Sequence, residues 1–549
     1  MKTENKTNDI LKQGSILAVA SILVRLIGML YRFPLSNLLG EKGNGIYGVA
    51  FQFYQVALVV SSYGLPLAVS KMVAAKNVKG KYKSAHKIFT NALIFAMCTG
   101  GIAALVVYFG AGYFVSFMKY PEAVLPLKIL APTIFCVAIL GVFRGYFQGQ
   151  NTMIPTALSQ ILEQIVNAIV SIVAAYSLMH MHRNSSEVAA FGAAGSTTGT
   201  LSGALAALFC MVGIYFLNRP ILRRKMQRDP YEAESNQEIY RILFLTVVPV
   251  VLSQTVYQIS GFLDSAIFGN VMAGKGVPKD IRLSLIGVYT GQYNVLLSVP
   301  LGISTAMGSS LIPSIVAAIT KDAMDEAKEK VRMVIKFNML IAFPCAVGLS
   351  VLSEPIIRLV YPNLITYRAL ASDMLLYGSV ALLFYALSTV TSGILQALNK
   401  MRLPVIHSAI SLVIHVVIMY VLLQYTDLGA YALLVGNITF PLVVCILNWI
   451  SVGNTLDYQQ ECKTTFGVPA LAAVIMGLVA FLLYKAGAFV FSFAGGYLSN
   501  MLAVLLAMAG AVFAYFASYI WLKGAEREEL CAMPMGRKLV TIAEKIHLL

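Results

Sequence analysis

Polar side chains recur at helical spacing inside a strongly apolar stretch of the sequence, residues 154–179. They are Gln160, Glu163, Gln164, Asn167 and Ser171, which fall on one face of an α-helix. Such a face must point toward protein or water, because a central Asp or Arg costs about 2.5–3.5 kcal/mol in hydrocarbon on insertion scales. The spacing therefore predicts the wall of a hydrated cavity, and Pro155 suits the first turn of the helix.

Two arginines share a helical face in the first apolar stretch of the chain. Arg25 and Arg32 are separated by about two helical turns, and Gly28 lies between them. This face predicts an anion site, because a guanidinium stays charged at every cellular pH and matches the geometry of phosphate. One alternative is that Arg25 pairs with Glu163 or Asp264 between helices. Another is that Arg32 extends toward the outer membrane surface.

A further set of polar residues lies in two later helices. Asp264 is the lone carboxylate of its helix, and Gln258 precedes it by six residues on the same helix. We interpret this carboxylate as a counter-ion for an arginine or as part of a cation site, together with Asn294. Packing through hydrogen bonds is an equally good interpretation of the glutamine.

Motifs for catalysis and for cofactor binding are not found. The sequence has no Walker A, GxSxG or HExxH pattern. Its six histidines lack the spacing of metal ligands, and its seven cysteines form no CxxC pair. We therefore expect no enzyme activity, no cofactor and no metal.

The composition identifies the elements that must position these residues. The chain has 549 residues, of which 58% are hydrophobic and 12% are charged, unlike soluble globular proteins. We predict an all-α integral membrane protein with about fourteen transmembrane helices, because its apolar runs span the hydrocarbon and lack the alternation of a β-barrel. The predicted spans are 14–38, 46–70, 88–116, 124–148, 154–179, 190–217, 240–269, 284–318, 333–353, 369–397, 404–424, 429–451, 466–490 and 496–522.

The distribution of charge predicts the orientation of the helices. The net charge is +16, and most of the 41 Lys and Arg residues fall in loops on one side of the membrane if the helices alternate. By the positive-inside rule both termini are cytoplasmic. Nucleic acid is not an expected partner, because the basic loops are short and lack interleaved aromatic residues. Contact of these loops with membrane lipids is expected.

The chain repeats a short signature. In "RGYFQGQN" the residues Gly145, Gln148 and Asn151 match Gly393, Gln396 and Asn399 of "SGILQALN". In the same order, "GIY" at residues 45–47 matches "GVY" at residues 287–289, and "YP" at 120–121 matches "YP" at 361–362. Ordered matches at a nearly constant offset predict an internal duplication.

The duplication predicts two pseudo-symmetric lobes of six helices each. Because six is an even number, the lobes are parallel repeats around an axis along the membrane normal, with the substrate site between them. The predicted organisation is an amino-terminal lobe at 1–218, a cytoplasmic linker at 219–238, a carboxy-terminal lobe at 239–452, two extra helices within 453–522 and a cytoplasmic tail at 523–549.

Several stretches resemble a known transporter family. They are "ILVRLIGMLYRFPLSNLLG", "FRGYFQGQNTMIPTALSQILEQIVN", "QISGFLDSAIFG" and "GSSLIPSIVAA". These stretches and the helix count are similar to the polysaccharide-transporter branch of the multidrug, oligosaccharidyl-lipid and polysaccharide exporter superfamily. The resemblance covers essentially every helix and extends to the stage V sporulation protein B group and the MurJ-type lipid II flippases.

The resemblance implies an alternating-access flippase in the bacterial cell membrane. Its cargo would be an undecaprenyl-pyrophosphate-linked precursor of peptidoglycan, of a sporulation product or of another polysaccharide. Arg25 and Arg32 match the paired cavity arginines of the first helix in MurJ-type proteins, and Asp264 matches the aspartate of the seventh. Two further arginines of the Gram-negative members have no counterpart, which favours the sporulation-type branch. Cell-wall synthesis proteins are further expected partners.

On this basis the candidate residues receive roles. Arg25, with Arg32, receives the pyrophosphate. The sugar or peptide path is lined by Gln148, Asn151, Gln160, Glu163, Gln164 and Asn167. The coupling or counter-ion set consists of Asp264, Gln258 and Asn294.

Two rival functions stay open at this point. The first is a cation-coupled multidrug exporter of the same superfamily, in which Glu163 or Asp264 is the ion site. The second is a scaffold for envelope assembly that transports nothing.

Overall fold

The computed structural model of the chain describes residues 2–232 and 234–524. These residues are almost entirely α-helical, with no strand among them, so the predicted all-α fold is confirmed. Helices satisfy their backbone hydrogen bonds within one segment, which apolar surroundings demand. Of the predicted tail at 523–549, only the first two residues fall within the described part.

The first compact unit of the chain ends at Gly287. Its helices are α1 (Lys2–Ser62), α2 (Leu65–Val78), α3 (Tyr82–Phe117), α4 (Val124–Gln148), α5 (Ile154–Met181), α6 (Val188–Gln227), α7 (Asn236–Gly274) and α8 (Lys279–Gly287). α4 lies at its centre and packs against α3, α6, α1 and α2.

The second compact unit begins at Val288. Its helices are α9 (Asn294–Thr320), α10 (Met324–Val351), α11 (Ser353–Val360), α12 (Arg368–Gly378), α13 (Ala381–Ala397), α14 (Arg402–Tyr425), α15 (Tyr431–Leu456), α16 (Val468–Val490) and α17 (Gly496–Trp521). Two π-helical turns, Val288–Tyr293 and Lys463–Gly467, precede α9 and α16. α16 and α17 pack against each other, and α16 packs against α10.

The long helix α1 is kinked at Gly40. The backbone there has φ 64° and ψ −178°, a conformation that glycine adopts and other residues avoid. The sequence predicts two spans at this point, 14–38 and 46–70, and the structure has two helical segments that meet at Gly40 without a loop between them. The short connection between the two predicted spans is therefore helical apart from one glycine.

The predicted number of membrane spans is not confirmed. Among the described residues, eleven helices are long and apolar enough to cross a membrane, or twelve if the bent pair α12 and α13 forms one span. The difference from fourteen arises partly because Leu23–Val78, which contains the Gly40 kink and the break between α1 and α2, counts as one of the eleven. The predicted span at 284–318 is also not among the eleven.

The repeated signature has a structural cause at the ends of two helices. Asn151 follows α4 and Asn399 follows α13, and each has φ 59°. In both places the asparagine N–H donates to the carbonyl three residues earlier and the next N–H donates to the carbonyl five residues before it, at 2.9–3.1 Å. This is the Schellman stop, in which asparagine is the usual substitute for glycine. The same stop ends other helices at Gly80, Lys119, Gly276, Asp322 and Lys523.

A second pair of repeated residues makes a reciprocal contact within the first unit. Gly45 of α1 packs on the backbone carbonyl of Leu283 in α8, and Gly287 packs on the carbonyl of Glu41. A Cβ at Gly287 would also lie 2.8 Å from the Gly45 nitrogen. α1 and α8 therefore pack closely, and each helix places a glycine against a backbone carbonyl of the other. The predicted lobe boundaries themselves stay a prediction.

The linker between α6 and α7 is held against the α2–α3 turn. Asp229 accepts hydrogen bonds from the N–H groups of Lys83 at 2.7 Å and Tyr231 at 2.9 Å. Removal of this carboxyl from water favours its neutral form, but these donors and the Lys83 charge prevail and lower its pKa. Glu234 pairs with Lys76. We call this end of the first unit, which carries residues 71–87 and 219–235, the basic end.

Candidate functional site

The charged centre of the α4–α5 pair is an ion pair between Arg144 and Glu163. An Nη of Arg144 donates to Glu163 Oε2 at 2.7 Å, and its Nε donates to Ser159 Oγ at 3.0 Å. The two side chains are 14% and 24% exposed. The carboxylate therefore has its counter-ion on the adjacent helix, and the two lie between the basic end and the middle of α5.

The polar face of α5 divides into two parts. Asn167 donates to Tyr31 Oη of α1 at 3.2 Å, and Ser171 donates to the carbonyl of Ser196 in α6 at 2.9 Å. Both residues are buried. The residues nearer the basic end, Gln160, Glu163 and Gln164, are half-buried. The farther part therefore packs against neighbouring helices. For the nearer part the cavity wall stays a prediction.

The burial of the farther part follows from small residues in α6. Gly195, Gly199 and Gly203 are spaced four apart and face α5. A Cβ would lie 2.5 Å from the carbonyl oxygen of Ala174 at the first glycine and 2.6 Å from that of Glu163 at the third. Small residues at this spacing let two helix backbones approach closely in a membrane. α5 and α6 consequently share a long, tight interface.

The two arginines of α1 have different surroundings. Arg25 is exposed, whereas Arg32 is half-buried. The Arg32 guanidinium lies 4.3 Å from the centre of the Tyr47 ring and 5.8 Å from that of Phe51. The two rings stack on each other at 5.4 Å. This cation–π contact fixes the Arg32 head against the second half of α1.

α1 and α5 meet through the residues that the sequence singled out. A Cβ at Gly28 would lie 3.4 Å from Gln164 Oε1. The glycine between the arginines therefore makes room for the polar face of α5. The structure thus brings the α1 arginine helix and the α5 polar helix together, as predicted for one site.

Other predicted site residues lie near turns. Gln148 is half-buried, and its Nε2 is 3.5 Å from Thr156 Oγ1. Asn151 is exposed at the Schellman stop after α4. Gln160 Oε1 is buried and has no hydrogen-bond partner within the described part of the chain. A buried unmet acceptor is costly, so this oxygen is suited to a water or a ligand donor.

The predicted ion-binding set is divided between the two units. In α7, Asp264 is 5% exposed and Gln258 is exposed. The neighbouring Ser265 donates to Gln52 of α1. Asn294, at the start of α9, is half-buried in the second unit. Within the described residues no cluster of three His, Cys, Asp or Glu side chains could hold a metal.

Sequence reasoning missed Arg144 as a site residue. Its position in the repeat offered a signal, because Arg144 aligns with Ser392 when Gly145 is matched to Gly393. Ser392 is an acceptor for Asn448 in a neutral network. Because the second copy of the repeat has a serine at this position, the helix end does not require the charge of Arg144.

Comparison with known proteins relates the chain to transporters of the MOP superfamily. A family model described as polysaccharide biosynthesis protein matches residues 10–319, and the MatE model matches residues 249–421. The lipid II flippase MurJ of Bacillus subtilis (strain 168) is 26% identical over 93% of this chain and 95% of its own length. Stage V sporulation protein B of the same strain is 23% identical over 86% of this chain and 88% of its own length.

Solved structures give the same fold. The lipid II flippase MurJ in an inward closed conformation has a TM-score of 0.65 and 16% identity, and the match covers 91% of this chain and 97% of that chain. An inward-facing MATE multidrug resistance transporter of the MOP superfamily has a TM-score of 0.63 and 16% identity, covering 80% and 99%. The predicted resemblance is therefore confirmed at the level of superfamily and fold.

Proposed function

Because the chain belongs to the polysaccharide biosynthesis protein family, we propose that it flips an undecaprenyl-pyrophosphate-linked cell-wall precursor across the bacterial cell membrane by alternating access. It is a multi-pass membrane protein of the flippase and exporter type, not an enzyme. The proposal concerns the cargo, the residues that bind it and the direction of movement. Both termini are placed in the cytoplasm, where the positive-inside rule puts them.

The nature of the relatives supports a lipid-linked cargo. The Bacillus subtilis flippase that aligns along 93% of this chain carries lipid II in its name. The pyrophosphate of such a cargo is esterified at both ends, so it is a dianionic group that must leave the headgroup region. Arginine is the side chain best suited to meet it, through paired N–H donors that stay charged.

The observation that carries the proposal is the Arg144–Glu163 ion pair. With its Oε2 2.7 Å from Arg144, Glu163 is neutralised inside its own helix pair. Residues 21–40 of α1 carry Arg25 and Arg32 and no carboxylate. Positive charge in this segment favours an anionic cargo over a cationic drug.

Within this site we assign tasks to two arginines and two glutamines. Arg25 and Arg32 receive the pyrophosphate, and Tyr47 holds the Arg32 guanidinium in place. Gln160 and Gln164 are half-buried amides near Glu163 in the sequence of α5 and contribute donors and acceptors to the sugar or peptide. The remaining predicted members are Gln148, Asn151, Glu163 and Asn167.

Reconstitution with defined substrates tests the proposal. Proteoliposomes of the full chain receive lipid II, a wall teichoic acid precursor or a cationic dye, and exposure of each on the far leaflet is measured. We expect Arg25→Ala to reduce flipping of the lipid-linked precursor by about tenfold or more, since a hydrogen bond to a charged group contributes roughly 1.5–3 kcal/mol. The matched control is Arg183→Ala, in the exposed α5–α6 loop, which should flip normally.

The same assay separates the alternatives. Normal flipping by Arg25→Ala at equal protein level would remove the site assignment. Transport of the dye alone would identify a multidrug exporter, and transport of none of the three would support a scaffold. Complementation of a strain depleted of its lipid II flippase provides the cellular test of the cargo.

A second candidate function has one observation in its favour. Asp264 is a carboxylate that is 5% exposed in the last third of α7, and the MatE model matches residues 249–421 around it. A buried carboxylate is the expected feature of cation coupling. If this candidate is right, Asp264→Asn abolishes dye export, while Arg25→Ala leaves it unchanged.

A further inference from the structure

Four helix ends enclose a cavity of about 170 Å³ at the basic end of the first unit. Its wall is formed by Asn77 at the end of α2, Tyr82 at the start of α3, Tyr146 and Gln150 at the end of α4, and Lys225 near the end of α6. This cavity is formed by different residues from those of the proposed transport site.

The chemistry of the wall favours an acceptor-rich ligand. Gln150 Nε2 is buried and has no acceptor within the described part of the chain. An unmet buried donor costs free energy that a bound oxygen would recover. Lys225 supplies a positive charge beside it, and the Lys225 Nζ lies 5.9 Å from the Tyr82 ring centre. No carboxylate lines the cavity.

Nearby carboxylates are engaged elsewhere and do not compete for this site. Asp229 accepts from the Lys83 and Tyr231 N–H groups. Glu234 pairs with Lys76, and its backbone carbonyl accepts from Lys87 Nζ at 2.6 Å. The linker therefore neutralises part of the α2–α3 turn but leaves the charge of Lys225 at the cavity.

The depth of the cavity suits a phosphate. α6 has 40 residues, whereas about 20 suffice to cross the hydrocarbon, so its last turns lie at or beyond the headgroups. The wall is made of helix ends and turns, where lipid phosphates and soluble phosphates are both present. A tetrahedral phosphate group presents several strong acceptors to an amide and an ammonium.

The repeated turn forms without the two side chains, Tyr146 and Gln150, that the end of α4 contributes to this wall. In the matching turn after α13, Ile394 and Leu398 stand where Tyr146 and Gln150 stand after α4. Both turns nevertheless form the same Schellman stop, with asparagine at φ 59°. The turn after α4 therefore does not need the hydrogen-bond donors of Tyr146 and Gln150 in order to form.

We propose that this cavity is a phosphate-group site, in which Gln150 and Lys225 bind the phosphate of an anionic lipid headgroup or of a soluble phosphate ester. Its ligand is distinct from the transported precursor, and the site lies on the amino-terminal half only. Occupancy by a lipid would tie the ends of α2, α3, α4 and α6 together through one ligand.

The test uses the purified full chain in detergent and its thermal unfolding midpoint. Added probes are phosphatidylglycerol, phosphatidylcholine, and inorganic phosphate against chloride at equal ionic strength. The variants are Gln150→Leu and Lys225→Gln, and the matched control is Arg224→Gln, which removes an exposed charge one residue away. Native mass spectrometry counts the bound lipid in each protein.

We expect an anionic probe to raise the unfolding midpoint of the natural chain above that in its neutral counterpart. Gln150→Leu and Lys225→Gln should each lower the affinity for that probe about tenfold, whereas Arg224→Gln should bind it with the affinity of the natural chain. A variant-dependent response to phosphatidylglycerol identifies a lipid phosphate, and one to inorganic phosphate identifies a soluble phosphate. Equal responses of all three variants to both probes would overturn the proposal. If Gln150→Leu does not fold, Lys225→Gln against Arg224→Gln decides alone.

Discussion

Glu163 has its counter-ion on the neighbouring helix, α4. Arg144 donates to it at 2.7 Å and to Ser159 at 3.0 Å, so the guanidinium is satisfied from two sides. A half-buried pair of this kind contributes little to net stability, but removing one member leaves a charge with no partner. The pair therefore acts as a unit.

The first prediction concerns this pair. Glu163→Gln should lower the free energy of unfolding by about 1–3 kcal/mol, because the Arg144 charge loses its carboxylate. The measurement is thermal or denaturant unfolding of the purified protein. Glu187→Gln, at an exposed position before α6, is the control and should change little.

The double variant completes this experiment. Arg144→Gln with Glu163→Gln carries two amides and no charge, so it should be more stable than Glu163→Gln alone. A double variant that is less stable than either single variant would show that the two residues act separately.

For individual residues, the sequence predicts which side chains form a polar face better than it predicts which residues those side chains contact. The helical spacing correctly identified the polar face of α5, because periodicity is a local property. It did not reveal that Asn167 and Ser171 are buried against α1 and α6, which depends on residues distant in the chain. Asn151 shows the opposite case, since its positive φ explains its recurrence at Asn399 without any ligand.

At the scale of elements, α5 and α6 are joined by glycines more than by polar contacts. Gly199 packs on Ser171, and a Cβ at that glycine would lie 2.5 Å from the Ser171 nitrogen. In a membrane the gain comes from close van der Waals contact, because lipid is as apolar as the helices. A single methyl group in this interface must therefore separate the backbones.

The second prediction follows from that interface. Gly199→Ala or Gly203→Ala should destabilise the protein by about 1–3 kcal/mol through overpacking. Gly213→Ala is the matched control on the same helix, because its Cβ would meet nothing within 4 Å. It should be neutral or slightly stabilising, since alanine favours helix. Equal unfolding midpoints for all three variants would refute the proposed role of the interface.

Helices were easier to predict than their boundaries or their pairing. The long apolar runs required helices on physical grounds. The bend at Gly40 was missed, because a glycine between two apolar runs is equally compatible with a loop and with a kink. The Gly195, Gly199 and Gly203 spacing was visible in the sequence and could have identified the α5–α6 interface.

At the scale of the whole molecule, orientation is the property with the clearest test. If both termini are cytoplasmic, the α5–α6 loop faces outward and the segment before α16 faces inward. Ser185 and Cys462 are exposed residues in these two segments. We predict that a membrane-impermeant maleimide added to intact cells labels Ser185→Cys and leaves Cys462 unlabelled.

Other exposed cysteines must be removed so that the labelling reports on one thiol at a time. Cys98 is also exposed and is replaced by serine. Ser185→Cys is tested with Cys462→Ser, and Cys462 is tested with Ser185 intact. If Cys462 were labelled in intact cells and Ser185→Cys were not, the orientation would be the opposite of the one proposed.

The helix stops have a consequence for how the protein is made. Each Schellman stop uses one residue at positive φ and hydrogen bonds within its own turn, as at Asn151 and Gly80. The end of such a helix is therefore determined by local sequence and does not depend on contacts with other helices. During synthesis the translocon can release each of these spans with its length already set, and lateral assembly in the bilayer has only to choose neighbours.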